Sequence, residues 1–139
     1  MFTSTHSAAG IFFALTINDP AVAIALSVAS HFPLDCCKES EPYGGWANII
    51  KYDFILMTGS MLALAFFLYP QNWTVIWGCV FAANAPDAWD KSREYILKKP
   101  QQLWCHQDWW PTWWTMTVDQ TLDVNIASTI AACLFLLAS

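Results

Sequence analysis

The chain has 139 residues, a length that suits one domain spanning 1–139. Hydrophobic residues make up 56% and charged residues 12%, about half the charged share of an ordinary soluble domain, so charges are too few to cover a water-facing surface. A net charge of -5 with no Lys/Arg stripe argues against nucleic acid as a partner. The nine tryptophans add apolar rings with a polar edge, the type that gathers where lipid meets water. Together these features predict an integral membrane protein with the lipid bilayer as its first partner.

In chain order, the N-terminus Met1-Phe2-Thr3-Ser4-Thr5-His6 lacks the positive region of a secretory signal, so no cleaved leader is expected. The first helix is predicted over Ser4 to Ile17. Asn18-Asp19-Pro20 reads as a helix start, a capping side chain followed by Pro at the first helical position. A second helix is therefore expected from Pro20 to His31. Each is about 20 Å long, short of a hydrocarbon core of roughly 30 Å, so the pair leans on neighbours or reaches part of the way across. Pro33 disfavours helical geometry at Phe32, which ends the second helix at His31 and folds Asp35 back at its mouth.

A third helix is predicted from near Ala47, with Phe54 to Tyr69 free of charge. Tyr69-Pro70-Gln71-Asn72 is a turn, and Asn72 is placed to cap a fourth helix over Trp73 to Ala83. Residues 84–118 read as an amphipathic interfacial segment, with Trp104, Trp109, Trp110, Trp113 and Trp114 as an aromatic belt. The last helix is expected from Thr115 to Leu137. The fold class is thus all-α integral membrane, with four to five helices: two short hairpins, the Trp-rich segment and a C-terminal span.

That path puts all six basic residues (Lys38, Lys51, Lys91, Arg93, Lys98, Lys99) on the side of the N-terminus. The positive-inside rule makes that side cytoplasmic. A shift of 52 residues also lays "DPAVAIALSVASHFPLDCCKES" loosely over "QNWTVIWGCVFAANAPDAWDKS", with Asp35 on Asp87, as in a weak internal repeat.

His6, His31, Asp35, Asp87 and His106 all fall on the N-terminal side. Imidazole nitrogens with carboxylate oxygens are the ligand set of zinc and similar ions, and this set leaves room for a water or substrate, as a catalytic site requires. Asp90, Asp53, Asp119 and Asp123 stand in reserve: Asp53 is expected to pair with Lys51 or water, and Asp119 and Asp123 to share a polar helix face. A second chemistry is a Cys3His zinc site from Cys36, Cys37, Cys105 and His106, although adjacent cysteines chelate less well than CxxC. Cys79 and Cys133 read as packing residues. No GxSxG, HExxH or P-loop is present.

"THSAAG", "SHFPLD" and "NAPD" together resemble the small bacterial inner-membrane proteins of the membrane-bound metal-dependent hydrolase family. The H-x3-D element is also similar to that of zinc phospholipase C and the S1/P1 nucleases, where it supplies metal ligands. The resemblance implies His6, His31, Asp35, Asp87 and His106 as metal residues, Asp35 and Asp87 as catalytic, and a divalent ion, zinc, as cofactor. It implies hydrolysis of a phosphoester or acyl bond in a lipid-like substrate at the membrane interface. The other expectation is a non-enzymatic accessory subunit of a larger membrane complex, in which a His binds a pigment or haem axially.

Overall fold

A computed structural model describes residues 3–39, 49–100, 103 and 114–139. Every long element is a helix: α1 (Thr3–Thr16), α2 (Pro20–Leu34), a π-helical stretch (Ile49–Thr58) running into α3 (Gly59–Leu68), α4 (Trp73–Tyr95) and α5 (Val118–Ala138). A 3-10 turn, Pro70–Asn72, joins α3 to α4. Two three-residue strands, β1 (Cys37–Glu39) and β2 (Trp114–Met116), pair in parallel with Cys37 opposite Trp114.

The start of α2 follows its sequence signal. The Asp19 carboxylate accepts the Ala21 and Val22 amides at 2.8 and 3.3 Å, and Pro20 opens the helix. Its end does not follow the expectation. α2 continues through Pro33 to Leu34, although a proline there gives up its own N–H bond and crowds the carbonyl four residues back. The Asp35 amide still reaches the His31 carbonyl at 3.0 Å. Likewise α4 does not stop at Ala83 but passes Pro86 to Tyr95, so residues 84–95 are helix. The third helix opens as a π-helix. α5 starts at Val118, where Thr117 and Gln120 close a capping box. Asn72 stands at the α4 N-terminus without making a side-chain cap bond. Residues 104–113, and with them most of the expected Trp belt, lie outside the described residues.

α1 is the centre of the bundle and packs on α2, α4, α5 and the π-helical stretch. The interior is lined by small and polar residues, among them Ala14, Ala23, Ala65, Ser27 and Asn125. Gly10 allows α1 and α4 to touch: a Cβ there would lie 2.8 Å from the Cys79 carbonyl oxygen, the small-residue contact typical of helices packed in lipid. The exterior carries the large apolar side chains, with Phe67 78%, Phe81 67% and Leu134 61% exposed. Two helical segments, Lys51–Leu68 and Gln120–Ala138, are long and apolar enough to cross a membrane, and only 22% of each is buried in the bundle.

The bundle has two distinct ends. At one, the Tyr69 hydroxyl donates to the Leu136 carbonyl at 2.8 Å, beside the Phe12–Phe135 ring contact. At the other, the starts of α1 and α5 meet the C-terminal parts of α2 and α4. α2 and α4 run parallel, and the segments related by the 52-residue shift lie side by side: His31 Nδ1 is 3.0 Å from the Ala83 carbonyl.

Candidate metal centre

The first turn of α1 is buried residue by residue: Ser4, Thr5, His6 and Ser7. Each of the other three is tied to a different element. The Ser4 amide donates to Asp53 Oδ1 of the π-helical stretch at 3.0 Å. The Thr5 hydroxyl donates to Asn125 Oδ1 of α5. The Ser7 hydroxyl accepts from Asn84 Nδ2 of α4 at 3.1 Å. Asp53 therefore neither pairs with Lys51 nor faces water; it is fully buried and caps α1 from outside the helix. These three anchors fix the turn that carries His6.

His31 comes from the last turn of α2, and Asp35 is that helix's C-cap, only 5% exposed. Asp87 follows Pro86 in α4, and its side chain is 33% exposed. The two imidazole rings stack at 4.3 Å with planes 21° apart, both fully buried. His31 Nε2 lies 2.8 Å from Asp35 Oδ2 and 3.7 Å from Asp87 Oδ1. His6 Nε2 lies 3.4 Å from Asp35 Oδ1 and 3.7 Å from Asp87 Oδ2. The expectation that α2 ends at His31 with Asp35 turned back is thus replaced by an i,i+4 pair on a continuous helix.

Proton counting limits what this cluster can hold. His31 has acceptors at both ring nitrogens, Ala83 O and Asp35. A neutral imidazole has one N–H and serves only one of them. The other needs an added proton or a cation between Nε2 and the carboxylates. His6 presents its Nε2 to the same two carboxylates, and among the described residues neither of its ring nitrogens has a hydrogen-bond partner. Buried polar atoms without partners are costly, and a cation at this point would give both Nε2 atoms a partner.

The dimensions fit such an ion. Zinc bonds of about 2.1 Å in a tetrahedron set donors about 3.4 Å apart, and the four nitrogen–oxygen separations run from 2.8 to 3.7 Å. His6, His31 and Asp87 each offer one ligand atom, all within 4.8 Å of one another. The Ala83 carbonyl orients His31 through Nδ1, as outer hydrogen bonds do for metal-bound imidazoles. Three protein ligands with a partly exposed third leave a position open.

Of the five residues expected at the site, His6, His31, Asp35 and Asp87 come together and His106 lies outside the described residues. Asp90 is not a ligand in reserve: it is fully buried and accepts the Leu103 amide at 3.0 and 3.3 Å. Asp123 is exposed, and α5 turns Thr121 and Asn125 inward. The side chain of Asp119 is outside the described residues, as are those of Cys37 and Cys105. The remaining cysteine of the Cys3His reading, Cys36, is buried with its thiol 3.6 Å from the Phe32 carbonyl. Cys79 is in the core and Cys133 packs against it. The supporting residues Asn84 and Asn125 were missed, since asparagine in an apolar helix carries no spacing signal of its own.

Fold and site together define a helical protein with a buried His/Asp cluster at one end of the bundle. No family model, curated protein or solved structure matches the chain.

Proposed function

We propose that this is an integral membrane protein of a bacterial inner membrane that hydrolyses a phosphoester or acyl bond at the lipid surface with a divalent ion, zinc. The observation that carries the reading is the pair of buried Nε2 atoms aimed at the same two carboxylates. The outward apolar helices support a lipid surround. Lys51, Lys91 and Arg93 sit on helices toward the cluster end and Lys98 and Lys99 follow α4; by the positive-inside rule this supports a cytoplasmic N-terminus and cluster.

His6, His31 and Asp87 are the ligands in this reading. The ion would supply Lewis acidity and a water acidified toward neutral pH. Asp35 does the proton work. With His31 Nε2 holding the ion, Asp35 Oδ2, which lies 2.8 Å from that nitrogen, would be free to take a proton. Asp35 then accepts a proton from the attacking water as its oxygen bonds to phosphorus or acyl carbon. The bond to the leaving alkoxide breaks, and the proton passes to that alkoxide.

Elemental analysis of the purified protein tests the reading. The expected result is about one zinc, manganese or iron per chain, lost in the double variant His31→Ala, Asp35→Ala while the helical circular dichroism persists. A folded wild type that takes up no metal even when zinc is supplied would sink the hydrolase and leave the accessory-subunit reading.

A further inference from the structure

Each carboxylate of the cluster offers one oxygen to each histidine. His6 Nε2 faces Asp35 Oδ1 at 3.4 Å and Asp87 Oδ2 at 3.7 Å. His31 Nε2 faces Asp35 Oδ2 at 2.8 Å and Asp87 Oδ1 at 3.7 Å. These contacts use a different oxygen each, so the cluster divides into two sets, each of one nitrogen and two oxygens. The rings support the same division. An imidazole holds an ion in its own plane, about 2.1 Å beyond the nitrogen. The two planes lie 21° apart at a centroid distance of 4.3 Å, so they do not meet that close to the nitrogens. A single ion shared by both rings requires one ring to turn; two ions side by side do not. Both rings are fully buried and Asp35 is nearly so, and among the described residues the ring nitrogens of His6 have no hydrogen-bond partner.

We propose that the centre takes a second divalent ion, one at each histidine with Asp35 and Asp87 both bridging the pair, and that its substrate is a phosphoester and not an acyl ester. The proposal rests on the hydrolase reading above and narrows it. Paired ions in hydrolytic sites lie about 3.5–4 Å apart, a spacing that two carboxylates can bridge and that is close to the 4.3 Å between the rings. Such a pair supplies a clamp on the attacking and leaving oxygens of an in-line displacement, the geometry of reaction at phosphorus. Charge selects the same class. Two divalent ions against two carboxylates leave an excess of positive charge at the centre. An anionic phosphoester offsets that excess, and a neutral acyl ester does not. The Asp87 side chain is 33% exposed, so the centre is open on its side. Asp35 is the proton acceptor only while one ion is bound; in the two-ion state both of its oxygens are held.

The full-length protein in detergent is stripped with a chelator and dialysed against zinc, or against manganese, in rising steps. Bound metal per chain is read by elemental analysis, and the manganese samples by electron paramagnetic resonance. Scarce metal should load about one ion per chain, and excess should bring the count to about two. The spectrum of an isolated manganese ion should then give way to that of an exchange-coupled pair. Asp35→Asn removes one bridge and should stop at about one ion, with the isolated-ion spectrum kept at every concentration. Inorganic phosphate, added to the two-ion protein in a calorimeter, should bind at least roughly tenfold more tightly than to the one-ion protein, and acetate should not. Saturation at one ion would overturn the second site and leave the hydrolase reading standing. A second ion without exchange coupling would also overturn it, since that ion lies elsewhere. Acetate binding as tight as phosphate would overturn the phosphoester assignment. A folded protein that takes up no ion at all sinks the hydrolase reading itself. If D35N fails to fold, the wild-type count and spectrum decide alone.

Discussion

Replacing His31 with Gln removes one metal ligand while keeping a polar side chain of similar reach. His31 is fully buried and serves Ala83 O at 3.0 Å and Asp35 at 2.8 Å. The Gln amide can donate to one of these, as a neutral imidazole does, so the metal-free protein should lose less than about 1 kcal/mol. The metal-dependent part behaves differently. In the wild type, zinc at about 100 times its Kd adds about 2.7 kcal/mol to the folded state. For a chain of this size that raises Tm by roughly 8 °C. With two ligands left the gain should fall below roughly 1 kcal/mol at the same zinc concentration. The assay is thermal unfolding in detergent after chelation, then with zinc restored in tenfold steps. Wild-type Tm should climb by roughly 4 °C per decade once zinc exceeds Kd, and H31Q should stay flat. A zinc-dependent climb of equal size in both proteins would refute the assignment of His31 as a ligand.

Three further outcomes follow from the same geometry. Asp53→Ala leaves the buried Ser4 amide without its acceptor; it should cost about 1–3 kcal/mol in unfolding experiments and weaken zinc retention measurably, since His6 is two residues on. Gly10→Ala drives a methyl to 2.8–2.9 Å from the backbone of Cys79 and Val80, which cannot yield as a side chain would, and should destabilise by about 1–3 kcal/mol. Gly59→Ala, whose nearest atom would be 3.7 Å away, should instead be neutral or stabilising by up to about 1 kcal/mol, and the contrast is read by the same melts. Zinc retention should fall as pH is lowered, because protons compete with the ion for His6 and His31; equilibrium dialysis at stepped pH checks the sign, and retention that rises on acidification would contradict imidazole ligation.

Parts of this structure could be read before any coordinates. Asn18-Asp19-Pro20 marks a helix start in any surrounding, because the cap and the proline act within three residues. The same locality misled at Pro33 and Pro86. A proline biases the residue before it, yet α2 and α4 pass through both, since packing against α1 outweighs one missing hydrogen bond. The spacing His31 to Asp35 allowed an i,i+4 pair, but Pro33 argued against it, and only the continuous helix shows it; the weak 52-residue resemblance placed Asp87 beside it. The role of Asp53 was not legible. Next to Lys51 it reads as a surface ion pair, and only its partner 49 residues away shows it to be a cap.

The sequence by itself determined a helical chain with two runs long and apolar enough to cross a membrane, because composition and apolar run length do not depend on how helices meet. It also determined which side chains are available for a metal, since ligand chemistry belongs to residue type. Only the tertiary structure decided that α1 lies at the centre, that Gly10 lets it touch α4, and that its first turn is pinned by Asp53, Asn84 and Asn125. Those contacts join residues up to 120 positions apart. Such pairs leave no periodic trace along the chain, and they bring His6 within 3.7 Å of the carboxylates of two other helices.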